Sequence, residues 1–145
     1  MAKLTASRGA QPVMLAEFTF NFDDTMVDVN GATKDFKTVG SNVFEPINLP
    51  NGAVVVGGEV ITETAITGST AYNISVGDSA SATRYLGATD RVAAGRTPLV
   101  PTGHRTEGKN LRVTVAPTVA AATAGKVTVR VQYITEGRVC EVNPS

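Results

Sequence analysis

The sequence predicts an all-β fold, an antiparallel β-sandwich of about eight strands. Three observations predict it. Residues Lys126 to Ile134 alternate strictly, with Val127, Val129, Val131 and Tyr133 on one face and Lys126, Thr128, Arg130 and Gln132 on the other. Side chains alternate across a strand with period 2, so this is a strand with one dry and one wet face. Val, Thr and Ala are abundant while Leu occurs only at positions 4, 15, 49, 86, 99 and 111. Leu favours helices, whereas Val and Thr are stiff at χ1 and fit a pleated surface. Finally, short alternating segments recur at intervals of roughly 8–15 residues with Gly and Pro turns between them, and no long helical pattern interrupts them.

Taken in order, Met1 to Val13 is polar and small and reads as an extended or flexible arm (residues 1–13), with the sandwich domain expected over 14–145. Leu15 to Phe22 alternates, placing Phe18, Phe20 and Phe22 on one face as a core anchor, and Asp23-Asp24 reads as a turn. Met26 to Val29 and Ala32 to Val39 form a hairpin around Asn30-Gly31, a pair that suits a type I′ turn with positive φ at both central positions, and Phe36 points inward. Val43 to Leu49 is extended but carries Pro46, with Pro50 just beyond, which confines it to an edge or a loop. Ala53 to Thr64 is a long strand. Gly57-Gly58 marks a bulge, or a bend where the strand passes between sheets. Ala71 to Val76 points Tyr72, Ile74 and Val76 inward, and Leu111 to Val115 does the same with Leu111, Val113 and Val115. Pro117 to Gly125 reads as a turn region, and Val139 to Val142 as a last short strand.

Ser79 to Gly108 differs from the rest. It is rich in Ser, Thr, Ala, Gly and Arg, and Thr89 to Ala94 has the makings of one helical turn capped by Thr89 or Asp90. A stretch of roughly 30 residues with so little pattern belongs to function or assembly more often than to scaffold. Closing the first strands on the last requires long-range pairing, as in Greek-key and jelly-roll layouts.

Chain length and charge narrow the function. The 145 residues are the size of one ordinary domain. Lys+Arg and Asp+Glu both number 13, and the resulting zero net charge points away from nucleic acid. No apolar run approaches the ~20 residues needed to span a bilayer, so no membrane partner is expected. The first residues lack an apolar signal core, and synthesis in a cytoplasm is expected. Cys140 is the only cysteine, which excludes an intrachain disulfide and reads as a small buried hydrophobe.

No constellation carries chemistry. Gly77-Asp78-Ser79 is not a nucleophile elbow, and His104, the only histidine, has no orienting partner nearby in sequence. Phosphate loops and zinc spacings are absent, and Asp78 and Asp90 stand too far apart in sequence to define a calcium loop. Asn73-Ile74-Ser75 matches a glycosylation acceptor but sits within a strand pattern. The expectation is no enzyme, no cofactor and no metal. Arg84, Arg91, Arg96 and Arg105 fall in the irregular segment, where they are either a solvated face or an interface.

Two segments carry a resemblance. One runs from Val54-Val55-Val56-Gly57-Gly58-Glu59-Val60 through Tyr72-Asn73-Ile74-Ser75-Val76-Gly77-Asp78 to Arg84-Tyr85-Leu86. The other runs from Ala94-Gly95-Arg96-Thr97-Pro98-Leu99-Val100-Pro101-Thr102-Gly103 to Gly125 through Ile134. Together they resemble the head decoration (cement) proteins of tailed bacteriophages, which have a jelly-roll fold. The resemblance implies a capsid decoration protein of the virion, a homotrimer on the outer surface of the head that binds the major capsid protein, bridges its subunits and is made in the bacterial host cytoplasm. It would make residues 1–13 an arm that orders on a neighbouring subunit. The candidate partner contacts are Lys3, Arg8, Arg84, Arg91, Arg96 and Arg105. The alternatives are another phage-particle component, such as a head fibre or tail protein, and a ligand- or carbohydrate-binding sandwich. A sugar site usually wants exposed aromatics, and the chain has no Trp and three Tyr.

Overall fold

The computed structural model describes residues 13–135. Within them lie ten strands: β1 Met14–Asn21, β2 Thr25–Val27, β3 Thr33–Asp35, β4 Asn42–Ile47, β5 Ala53–Thr67, β6 Ala71–Gly77, β7 Leu86–Asp90, β8 Gly95–Pro98, β9 Leu111–Thr118 and β10 Ala124–Thr135. Eight of them form two four-stranded antiparallel sheets, ordered β1-β10-β5-β8 and β4-β9-β6-β7, and β2-β3 is a separate hairpin. The fold is an all-β sandwich of the jelly-roll kind. Most of the expected arm, with Lys3 and Arg8, and the expected strand Val139 to Val142, with Cys140, lie outside the described residues.

The strand Lys126 to Ile134 becomes the interior of β10, flanked by β1 and β5. Its valines at 127, 129 and 131 are wholly buried. The expected long-range closure is present, since β1 pairs with β10 from Met14↔Tyr133 to Asn21↔Lys126. Between the sheets the phenylalanines stack in a chain. Phe20 and Phe36 have ring centroids 4.2 Å apart, and Phe36 and Phe44 are 4.5 Å apart. Phe20 belongs to one sheet and Phe44 to the other, so Phe36, in the segment after β3, ties the two together. Phe18 and Phe22 pack against the same core. Offset aromatic pairs of this kind add to the burial of apolar area that holds a sandwich shut.

Several local expectations change in detail. The Asn30-Gly31 hairpin forms, but only Gly31 has positive φ (85°). Gly31 N donates to the Asp28 carbonyl at 3.1 Å, and Asp28 N donates to the Ala32 carbonyl at 2.8 Å. The Asp28 carboxylate also accepts from the amides of Asn30 and Ala32. This is a three-residue loop closed by a left-handed glycine, which the Asp28 side chain favours over the two-residue type I′ turn. At Gly57-Gly58 β5 bulges with Val56 as the extra residue, yet it stays in one sheet and does not cross to the other. A Cβ on Gly58 would drive into the Arg130 carbonyl oxygen, so glycine is what lets β10 lie this close.

The expected helical turn at 89–94 is absent, and β7 runs to Asp90 instead. The Asp90 carboxylate accepts from Tyr72 N at 3.0 Å and Val92 N at 3.1 Å, and Arg91 N donates to the Tyr72 carbonyl. The capping chemistry of Asp90 is thus used to end a strand against β6. The irregular segment holds two short edge strands, β7 and β8, whose Gly, Ala, Thr and Arg residues gave no alternation to read. Strand β9 also continues through Pro117, where the sequence reads as a turn. Pairing with β4 ends at Asn42↔Val115, and the Pro117 carbonyl accepts from Gly40 N. The N and O of a strand residue point the same way, so the missing N–H faces away from β6 and costs no ladder bond. Pro46 sits in β4, an edge strand with a register shift at that point, as its sequence required.

Candidate functional site

Two polar arrangements stand out from this scaffold. The first covers the outer face of sheet β1-β10-β5-β8. Register aligns Glu17, Arg130 and Glu59 in one row across β1, β10 and β5, with Arg96 reaching in from β8. Arg130 Nε donates to Glu17 Oε2 at 2.7 Å, and Arg130 Nη1 donates to Glu59 Oε1 at 3.4 Å. Arg96 grips the same Glu59 through both oxygens, at 2.8 and 2.6 Å. Charges of alternating sign therefore tie all four strands in spatial order. The hydrogen bond from Arg96, reinforced by Arg130, holds the Glu59 carboxyl below the ordinary carboxylate range. Glu17 and Glu59 in turn raise the guanidiniums of Arg130 and Arg96.

Beside this row lies a second one. Thr128 donates to Glu63 Oε1 at 2.9 Å and sits 2.9 Å from the Thr19 hydroxyl. A hydroxyl has one proton, so Thr19 is the donor to Thr128. Lys126 Nζ lies 3.2 Å from Glu63 Oε2. Thr128, expected on the wet face, is fully buried beneath these partners. Towards the start of β1 the face dips into a depression of about 500 Å³ lined by Leu15, Glu17, Gly58, Glu59, Arg130 and Gln132. Leu15 is 60% exposed at its rim. Both carboxylates here are held by arginine, so neither stands ready as a general base. The face is equipped to meet another polar surface with an apolar residue at its edge.

The second arrangement is buried. Asp78, 3% exposed, follows β6 in the loop to β7. Its Oδ1 accepts from the amides of Ala80 and Ser81, both at 2.9 Å, and Arg84 Nε donates to Oδ2 at 2.7 Å. Burial alone would raise this carboxyl, but the Ser81 amide, the Arg84 guanidinium and the Ala80 amide together bring it below its ordinary value. His104 Nε2 lies 3.8 Å from Asp78 Oδ2 and has no hydrogen-bond partner, so it activates no hydroxyl. No three or more His, Cys, Asp or Glu side chains gather into a metal-binding group among the described residues.

The four described candidate contacts have different partners. Arg84 is bound to Asp78. Arg91 donates to the Asp90 carbonyl and to the Thr97 hydroxyl, joining β7 to β8. Arg96 belongs to the ionic row and stays 65% exposed. Arg105 forms a bridge with Val54, and its guanidinium lies against Gly52. Glu17, Glu59 and Arg130 were not singled out from sequence as a group, because register alone brings residues 113 positions apart together. The Asp78 turn was legible in part, since Gly-Asp-Ser favours a carboxylate that bonds the amides just after it.

No protein-family model matches the sequence, and no curated protein matches it. Solved structures do. The chain is similar to a chain of the cyanophage Pam1 capsid asymmetric unit, with 25% identity and a TM-score of 0.61 over 92% of this chain and 94% of that one. It has the fold of a chain in the acidic stable capsid structure of Helicobacter pylori bacteriophage KHP30, with 18% identity and a TM-score of 0.61 over 99% and 98% of the two chains. It also has the fold of a chain in the capsid of Ralstonia phage GP4, with 15% identity and a TM-score of 0.58 over 91% and 90%. The chain thus shares its fold, over nearly its whole length, with chains of three phage capsids.

Proposed function

We propose that this chain is a structural virion protein that sits on the outside of a bacteriophage head and stabilises the shell by bridging major capsid subunits. The observation that carries the reading is the end-to-end fold match to chains of three phage capsids, one of them 25% identical. Because these neighbours come from capsids, they favour a head position over a tail one. The four-strand ionic row supports the role physically. A rigid sandwich presenting charged, internally tied side chains offers a preorganised surface, and little ordering entropy is lost when it docks. The mechanism is mass action: a protein that binds only the assembled shell stabilises that shell. The protein acts as a homotrimer with a non-enzymatic role. Lys3, Arg8, Arg84, Arg91, Arg96 and Arg105 remain candidate contacts, with Arg96 best placed because its side chain stays 65% exposed while held by Glu59.

Heads lacking the protein, mixed with the purified chain, test this. Co-sedimentation at micromolar concentration and greater resistance of the heads to heat or chelator are expected; free protein left in the supernatant would sink the reading. Light scattering on the purified chain checks the trimer, and a strict monomer at high concentration would remove that part.

A further inference from the structure

We propose that His104 is an acid-operated clasp whose protonated imidazole closes on Asp78 and locks the segment 99–110 against the β6–β7 loop. This segment is a strap. It leaves β8 in one sheet and enters β9 in the other. Its two ends are pinned by the backbone: Leu99 N donates to Gly58 O and Val100 N to Tyr85 O on one side, and Thr106 N donates to Ala53 O on the other. Thr106 is almost fully buried, and its hydroxyl donates to the Pro50 carbonyl at 2.9 Å. Between these pins Pro101, Thr102 and Gly103 are exposed, and His104 is the side chain that reaches inward.

The geometry is that of an open latch. His104 Nε2 is buried without a hydrogen-bond partner, and the Asp78 oxygen it faces is 3.8 Å away, beyond hydrogen-bond length. Neutral imidazole gains little there. Imidazolium is a donor at both nitrogens, and closing by less than 1 Å makes a charge-assisted bond to a carboxylate. Asp78 remains an anion in acid, because Arg84 and the Ala80 and Ser81 amides hold it ionised. On the β6–β7 loop Arg84 is paired with Asp78 and Tyr85 lies beside both, and on the strap Arg105 follows His104. Tyr85, whose buried hydroxyl has no hydrogen-bond partner and whose ionisation burial and Asp78 oppose, stays neutral. Asp78 is the group in ion-pair reach. The clasp therefore closes on the protonated ring, which supplies the donor, and opens when the ring loses its proton.

The test uses amide hydrogen exchange on the intact protein, corrected for intrinsic rates, at about pH 8 and about pH 5.5, on either side of the imidazole range. Protection of the Val100 and Thr106 amides relative to Val129 in β10 is expected to rise roughly tenfold on acidification, the order set by one hydrogen bond to a charged group. The His104→Gln variant, which keeps a neutral polar side chain, is expected to lose that rise while matching wild type at the higher pH. An unchanged or falling ratio in wild type, or an equal rise in the variant, overturns the proposal. Because His104 is the only histidine, one imidazole resonance reports directly whether a protonated ring contacts Asp78.

Discussion

Val119 takes φ of 70° and is 80% exposed, at the start of the turn between β9 and β10. A β-branched residue gains nothing from that conformation and strains its own backbone. Replacing it by Asn, which tolerates the left-handed region, is expected to raise stability by about 1 kcal/mol in denaturant melts. Tyr72 is the opposite case. It is fully buried, and its hydroxyl donates to the Phe36 carbonyl at 2.6 Å. Burial, with the Asp35 charge behind it, drives the phenol's pKa far upward, so it keeps its proton at any working pH. Tyr72→Phe leaves that carbonyl unpaired in the aromatic stack and is expected to cost about 1–2 kcal/mol, read from the urea midpoint at an unchanged m-value. The inward direction of both Tyr72 and Phe36 was legible from alternation. Their hydrogen bond was not, since it joins a strand residue to a carbonyl 36 positions away.

At the level of elements, the sheet β1-β10-β5-β8 is held by more than its backbone ladder. Exposed ion pairs are individually weak, and a shared network earns attention only when the geometry is bidentate. Glu59 meets that condition because it anchors two arginines from two different strands. Glu59→Gln is expected to destabilise the fold more than Glu17→Gln, and the difference is expected to shrink at high salt as screening takes over. Its pH dependence follows from the lowered carboxyl. The stabilisation is present above the ordinary value of 4.5 and is lost as pH falls through the lower folded value. A thermal melt series from neutral to acid pH checks both claims, with Glu59→Gln flattening the acid limb. Strands β7 and β8 teach a separate lesson at this scale. They lie at sheet edges and carry few apolar residues, so period-2 alternation had nothing to act on. Hydrogen bonds to β6 and β5 make them strands.

In the whole molecule, the first described strand pairs with the last, and each main sheet is built from strands distant in sequence. Such topology has a high contact order, so refolding is expected on the millisecond-to-second scale in stopped-flow experiments, slower than for a helical domain of equal size. A microsecond phase that recovers full fluorescence or circular dichroism would contradict it. Local chemistry written in the chain determined the all-β class, the inward faces of the strands around Phe20, Tyr72, Val113 and Val129, the turn at Asn30-Gly31, and the edge placement of the Pro46 segment. These depend on alternation, on φ preferences and on a missing N–H, which act within a few residues. Tertiary structure alone decided the ionic row from Glu17 to Arg96, the burial of Thr128 on a face that reads as wet, the meeting of His104 with Asp78, and the fate of Asp90 as a strand end. Each depends on register or loop packing between residues far apart in sequence, which no local rule specifies.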